Sequence, residues 1–311
     1  MTSIASPQTF AGALAADIRL AAMIQAQVQL KIADMSSLRQ YIDYLGDISG
    51  TGSNVVRARF TDLGAASPMS AIPDGDDLTP SAMDGSVADV TVSRSGLAYS
   101  ISDLFSMSGL GRDIDPFFIA DALAKSAEAR MNQLICTAFS GATASVGTSG
   151  VDLDMDDWLE ALYTLEQANN GGRISCVLSQ KQFTDFQKAL RSENNNFLAF
   201  APATEEMSKA KPNGFAGEIL GVSVFRSAYV QNDGGGTNHV GLMFGEGGLG
   251  YATGSPTLTA ASAEFRPGGS PVIVEMDRNA LGGVTRVVGH LYMGCSILQQ
   301  DKVCKIVTSN S

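Results

Sequence analysis

The 311-residue chain is 44% hydrophobic and 17% charged, which excludes a disordered protein and supplies apolar material for two lobes or one domain with large insertions. Its 21 Lys and Arg against 32 Asp and Glu leave a net charge of −11, the wrong sign for gripping nucleic acid through its phosphates. No run reaches the ~18 apolar residues of a membrane span, and the N-terminus, with no basic residue before Arg19, makes a poor secretory signal.

In chain order, residues 7–45 read as mostly helical, with Leu14, Ile18, Ala21, Ala22, Gln25, Val28 and Ile32 at three- and four-residue intervals. The segment is Ala- and Gln-rich and only half apolar, so it reads as an arm that lies on something. Val55 to Phe60 alternates as a strand, with Val56, Ala58 and Phe60 on one face and Arg57 and Arg59 on the other. A second strand-like stretch runs from Val87 to Leu104. Between them lie about two dozen residues rich in Pro, Gly, Ser and Asp, long for a loop inside a compact domain. Because an isolated hairpin is marginal in water, it is expected to find its partner surface outside its own domain, most simply on a second copy.

Residues 114–140 give the clearest helix: Asp115 as cap, Pro116 in the first turn, a broad apolar stripe through Ile119, Leu123, Ala127, Met131, Leu134, Ile135 and Ala138, and Gly141 at the end. At 1.5 Å per residue it makes a rod of roughly 35–40 Å. Residues 152–260 alternate α and β: a helix from Asp154 to Asn169, a buried strand from Ile174 to Ser179, and a helix from Gln180 to Arg191. Strands follow at Glu218–Phe225 and His239–Phe244. The last 55 residues read as strands, Pro271–Asp277, Val284–Leu298 and Lys302–Val307, whose apolar face the 114–140 helix would cover.

Catalytic and cofactor patterns mostly fail on inspection. Gly245-Glu246-Gly247-Gly248-Leu249-Gly250 matches GxGxxG and follows a strand, but Tyr251-Ala252-Thr253-Gly254-Ser255-Pro256 cannot open the helix that must hold a pyrophosphate. Asp152, Asp154, Asp156 and Asp157 resemble the start of a calcium loop, yet Asp157 stands where Gly is needed and Tyr163 where Glu is needed. An acidic first turn that complements the helix dipole explains them better. His239 and His290 fall in separate strand-like segments, and no metal, P-loop or nucleophile-elbow spacing occurs. Cys136, Cys176, Cys295 and Cys304 form no CxxC pair and read as buried free thiols. No catalytic, cofactor-binding or metal site is expected.

The order of parts resembles the major capsid proteins of tailed bacteriophages, the Hong Kong 97-type α+β fold. The resemblance implies an N-terminal arm at 1–50, an extended loop at 51–112, and a spine-helix region at 113–150 built on DPFFIADALAKSAEARMNQLICTAFSG. It further implies an axial domain at 151–260 and peripheral-domain strands at 261–311, including VIVEMDR, GGVTRVVGHLYMGCSI and KVCKIV. The implied function is a non-enzymatic shell, with pentamers and hexamers enclosing packaged double-stranded DNA in a virion built in the host cytoplasm. It implies a separate scaffolding protein, a portal and room for decoration proteins, with no cofactor and no membrane. Arg57 and Arg59 on one hairpin face and Asp74, Asp76 and Asp77 at its tip are the candidate contacts between subunits, beside the plainer reading of a solvated polar face. The loop at 51–112 contains no Lys, so covalent Lys–Asn crosslinking through it is not supported. An encapsulin-type compartment and a soluble α+β enzyme remain the alternatives.

Overall fold

A computed structural model describes parts of 23–31, then 38–49, 51–62, 84–104, 116–167, 172–192, 200–202, 214–232, 236–254, 272–279 and 281–310. Residues 23–31 are helical where described, and Ile24 and Val28 are buried in the main core with the long helix, to whose Asp121 the Lys31 ammonium reaches at 3.6 Å. The described part of the arm thus finds its bed on its own chain. The helix expected to run to residue 45 does not do so: a 3₁₀ turn at Leu38–Tyr41 leads into strand β1 (Asp43–Asp47). Pairing with a parallel neighbour and the stacking of Tyr44 on Tyr251, 5.2 Å between centroids, outweigh local helix propensity there.

Strands β2 (Val55–Asp62) and β3 (Asp84–Thr91) form the expected antiparallel hairpin. After Val92 the chain does not stay in the hairpin, and β4 (Ser93–Ser102) instead pairs over ten residues with a strand near the C-terminus. Helix α1 (Pro116–Ala138) follows, 23 residues or about 35 Å long. Of the stripe its spacing predicts, Ile119, Leu123, Ala127, Met131 and Ile135 are buried, while Leu134 and Ala138 are partly buried against the same core. Asp115, its expected cap, lies outside the described residues. Next come β5 (Ser145–Val146), α2 (Met155–Gln167), β6 (Ile174–Leu178), α3 (Gln180–Ser192) and β7 (Phe200–Pro202).

The strand expected over Glu218–Phe225 is two strands, β8 (Phe215–Ile219) and β9 (Val222–Arg226). Leu220 and Gly221, with φ of 49° and 79°, close them as a two-residue hairpin turn. An apolar run without a Gly-Asn or Asp-Gly pair hides that turn from periodicity. The chain ends with β10 (Asn238–Gly245), β11 (Leu249–Thr253), β12 (Val272–Asn279), β13 (Val284–Ile297) and β14 (Val303–Ser309).

Beside the two-stranded β2–β3 ribbon, two larger sheets organise the described strands. The first runs β1-β11-β13-β12, with β4 also paired to β13; the second runs β5-β14-β10-β6-β9-β8-β7. The closing strand therefore does not extend the sheet of β12 and β13, as the sequence reading expects. After the 3₁₀ turn Gln300–Lys302 it crosses to the second sheet and lies antiparallel to β10. Helix α1 packs on β13 as its apolar stripe requires, and the main core joins Val287, Leu291 and Met293 of the first sheet to Val177, Phe225 and Leu242 of the second. A second core, around Trp158, Phe186 and Leu178, sits between α2, α3 and the second sheet.

Candidate assembly surfaces

The hairpin of β2 and β3 is rooted on its own subunit. Val90 and Val92 are buried with Ala252 and Leu298, and Val56, Ala58 and Ala88 pack around them. Gly294 of β13 makes this crossing possible, since a Cβ there would overlap the Thr91 carbonyl. The expectation that the hairpin has no partner within its own chain is thereby corrected for its base. The apolar alternation that identified the strands also supplies their anchor.

The opposite face of the hairpin points outward. Arg57 donates from Nε to Asp89 Oδ1 at 2.8 Å and from a terminal nitrogen to Oδ2 at 3.1 Å, a two-pronged cross-strand pair. Hydrogen bonding to Arg57 holds the Asp89 carboxyl below the usual carboxylate range. Arg57 is thus already partnered within the chain. Arg59 lies opposite Val87, which is 54% exposed, and makes no ion pair among the described residues. Asp74, Asp76 and Asp77 lie outside the described residues.

The second sheet carries a further surface. Asp156 and Asp157 lie in the first turn of α2, as expected of that acidic run, and Asp154 caps the helix by accepting the Asp157 N–H at 2.8 Å. Burial, then the neighbouring Asp154, pushes the Asp157 carboxyl up. Trp158, Ala161, Leu162 and Leu165 turn inward, while Leu159 and Tyr163 stand exposed one turn apart. Sequence reasoning missed this pair, because in DDWLEALY both side chains are as apolar as the ones that turn inward. On α3, Asp185 is buried and accepts from both Lys181 and Lys188. Gln182 anchors the helix: its Oε1 accepts the Ser179 N–H, and its amide nitrogen donates to the carbonyls of His239 and Ile306.

The remaining candidates for chemistry have structural places. Gly245–Gly250 links β10 to β11 as a tight strand connection, with the Gly248 N–H donating to the Gly245 carbonyl at 3.1 Å, so no helix opens there. Burial pushes the Cys136 and Cys295 thiols up to about 12 and Cys304 to about 11, which keeps them protonated and unreactive at neutral pH. His239 is held below the usual histidine range by burial and by the Lys181 charge. His290 sits in the other sheet, 3.9 Å from Glu275. Among the described residues no group of three metal-ligating side chains converges, and no helix is long and apolar enough to cross a membrane.

No family model matches the sequence, and no curated protein matches it in sequence. Solved structures do resemble it in fold. A chain of the mature capsid of bacteriophage PhiM1 superposes with a TM-score of 0.62 at 9% identity, covering 89% of this chain and 88% of that one. A chain of the head of Helicobacter pylori bacteriophage KHP40 gives 0.60 at 9% identity, covering 89% and 91%. The SrpI encapsulin of Synechococcus elongatus gives 0.56 at 12% identity, covering 86% and 85%. Arm, hairpin, long helix and two sheets together thus make up an α+β chain with the fold of phage major capsid proteins.

Proposed function

We propose that this chain is the major capsid protein of a tailed phage, with the Hong Kong 97-type arrangement of arm, extended loop, spine helix, axial domain and peripheral strands. Its copies assemble as pentamers and hexamers into an icosahedral shell around packaged double-stranded DNA, in a virion built in the host cytoplasm. The observation that carries the reading is likeness over nearly nine-tenths of the chain to phage capsid chains of the same extent. The protein works by contact rather than catalysis: the proteins it resembles build particles. The acidic balance suits a wall that encloses DNA without adhering to it. A separate scaffolding protein and a portal complete the assembly, with decoration proteins as possible additions. Arg57, Arg59, Asp74, Asp76 and Asp77 belong to its contacts with neighbours.

Electron microscopy of the purified full chain, alone and with its scaffold, tests this reading. Closed shells or capsomer rings are expected, and a protein that stays monomeric in every condition refutes it. Deleting 61–86 should leave a folded subunit that no longer assembles; normal shells from that deletion would remove the role of the loop. The encapsulin likeness favours a second reading, a compartment around cargo enzymes. Particles isolated from the native source separate the two, since a phage shell contains DNA and a compartment contains protein.

A further inference from the structure

We propose that a cavity between α1 and the first sheet binds a small organic monocarboxylate with an apolar body, and that Arg130 holds its carboxylate. The inference goes beyond the shell reading and does not depend on it.

The strand register builds the floor of this cavity. Ser95 of β4, Leu291 of β13 and Val272 of β12 lie in one row across the sheet, and Leu97 lies opposite Gly289 in the next row on the same face. Above them α1 presents Leu123, Ser126, Ala127 and Arg130, three and four residues apart and therefore on one side of the helix. The space enclosed is about 330 Å³, at the lower end of the roughly 300–1,000 Å³ of ligand pockets. Helix and sheet approach most closely at Gly289, where a Cβ would stand only 3.0 Å from Leu123 Cδ2. Leu97, on the neighbouring strand, stays 36% exposed, so the chain leaves part of this apolar wall uncovered.

The polar groups are few and cationic. Arg130 donates from Nε to Ser95 Oγ at 3.1 Å and from a terminal nitrogen to Gln133 Oε1 at 2.7 Å, which fixes the guanidinium between α1 and β4. These bonds occupy two of the five N–H groups of the fork. Arg130 makes no ion pair among the described residues, and no described residue lining the cavity is Asp or Glu. The Ser126 hydroxyl, one turn back, also has no hydrogen-bond partner among the described residues. Strand alternation turns the His290 ring to the other face of the sheet, 3.9 Å from Glu275 and away from α1. A guanidinium held in place recognises a carboxylate through two parallel N–H···O bonds, and walls of Leu97, Leu123, Val272 and Leu291 bury an alkyl or aryl body. Phosphate or sulfate, with no apolar part, would leave those walls bare, and an ammonium ligand would be repelled.

Calorimetric titration of the full chain with octanoate, below its micelle-forming range, tests this. A single saturable site is expected, with a dissociation constant on the order of 10⁻⁴ M for a ligand of that size. Octan-1-ol should bind at least about tenfold more weakly, since it forfeits the charge-assisted bonds, and octylammonium should not bind. Arg130→Gln should lower octanoate affinity to the level of octan-1-ol while leaving octan-1-ol binding unchanged. Hydrogen exchange of the unsubstituted chain, with and without octanoate, locates the site even if that variant fails to fold. Added protection is expected in β4 and in the C-terminal half of α1. The proposal is overturned by a lack of saturable binding, by octan-1-ol or octylammonium binding as well as octanoate, by unchanged octanoate affinity in Arg130→Gln, or by protection confined to other elements.

Discussion

Asp185 shows how one side chain ties charge to stability. Burial alone would raise its carboxyl, but the Lys181 and Lys188 ammonium groups bonded to it hold it below the usual carboxylate range. A carboxyl depressed in the folded state contributes stability above its unfolded value of about 3.9. That contribution disappears as pH falls through the lower folded value. Asp185→Asn should therefore cost about 1.5–3 kcal/mol at neutral pH, the typical worth of hydrogen bonds to a charged group. The deficit relative to the parent should shrink below about pH 4. Urea unfolding of both proteins at neutral and acid pH checks this, and a deficit of equal size at both would exclude the charge as its cause. The buried carboxylate thus ties both lysines of α3 to the helix and offsets part of their charge.

At the scale of elements, the hairpin and the sheet beneath it form one unit, drawn together most tightly where Thr91 crosses β13. Val90 is fully buried and Val92 nearly so, and Thr91 between them passes over Gly294 of β13 with no room for a side chain. Gly294→Ala forces the strands apart or distorts β13, at an expected cost of about 1–3 kcal/mol, the usual range for overpacking a well-packed site. Hydrogen exchange should then show the amides of β2 and β3 losing protection before those of β10 and β14. An unchanged unfolding midpoint and uniform exchange would mean that the crossing is looser than its geometry. On the proposed shell reading such an anchor has a use, because a loop that reached a neighbour would transmit force only if its root were fixed.

For the molecule as a whole, the main core is shared by both sheets. Val287, Leu291 and Met293 of the first pack in the same cluster as Val177, Phe225 and Leu242 of the second. Neither sheet can lose its inner face without exposing the other's, so the two are expected to unfold together. Trp158, the single Trp of the chain, lies in the other core, between α2, α3 and the second sheet. Its fluorescence and the far-UV circular dichroism should follow one transition in urea. A fluorescence change that runs ahead of the dichroism would show that the α2–α3 lobe opens by itself.

Local pattern alone was enough to reveal the hairpin strands, α1 and most of its buried stripe, the alternating middle of the chain, the acidic first turn of α2 and the Gly-rich turn at 245–250. Each follows from periodicity or capping within a window of a dozen residues. The order of those parts was also enough to point to the capsid fold. Long-range pairing decided the rest. The strand at Asp43–Asp47 exists because β11 offers it an edge, and β14 joins the second sheet because β10 does. Neither partner is local in sequence, so no short window records the choice. The same holds for the assembly surfaces. Arg57 was legible as an outward residue, but its partner Asp89, 32 residues away, required the register of the hairpin. Leu159 and Tyr163 look like core residues in the sequence. Only the placement of Trp158 beneath α2 turns them towards solvent, because a helix has one inward face and the larger ring occupies it.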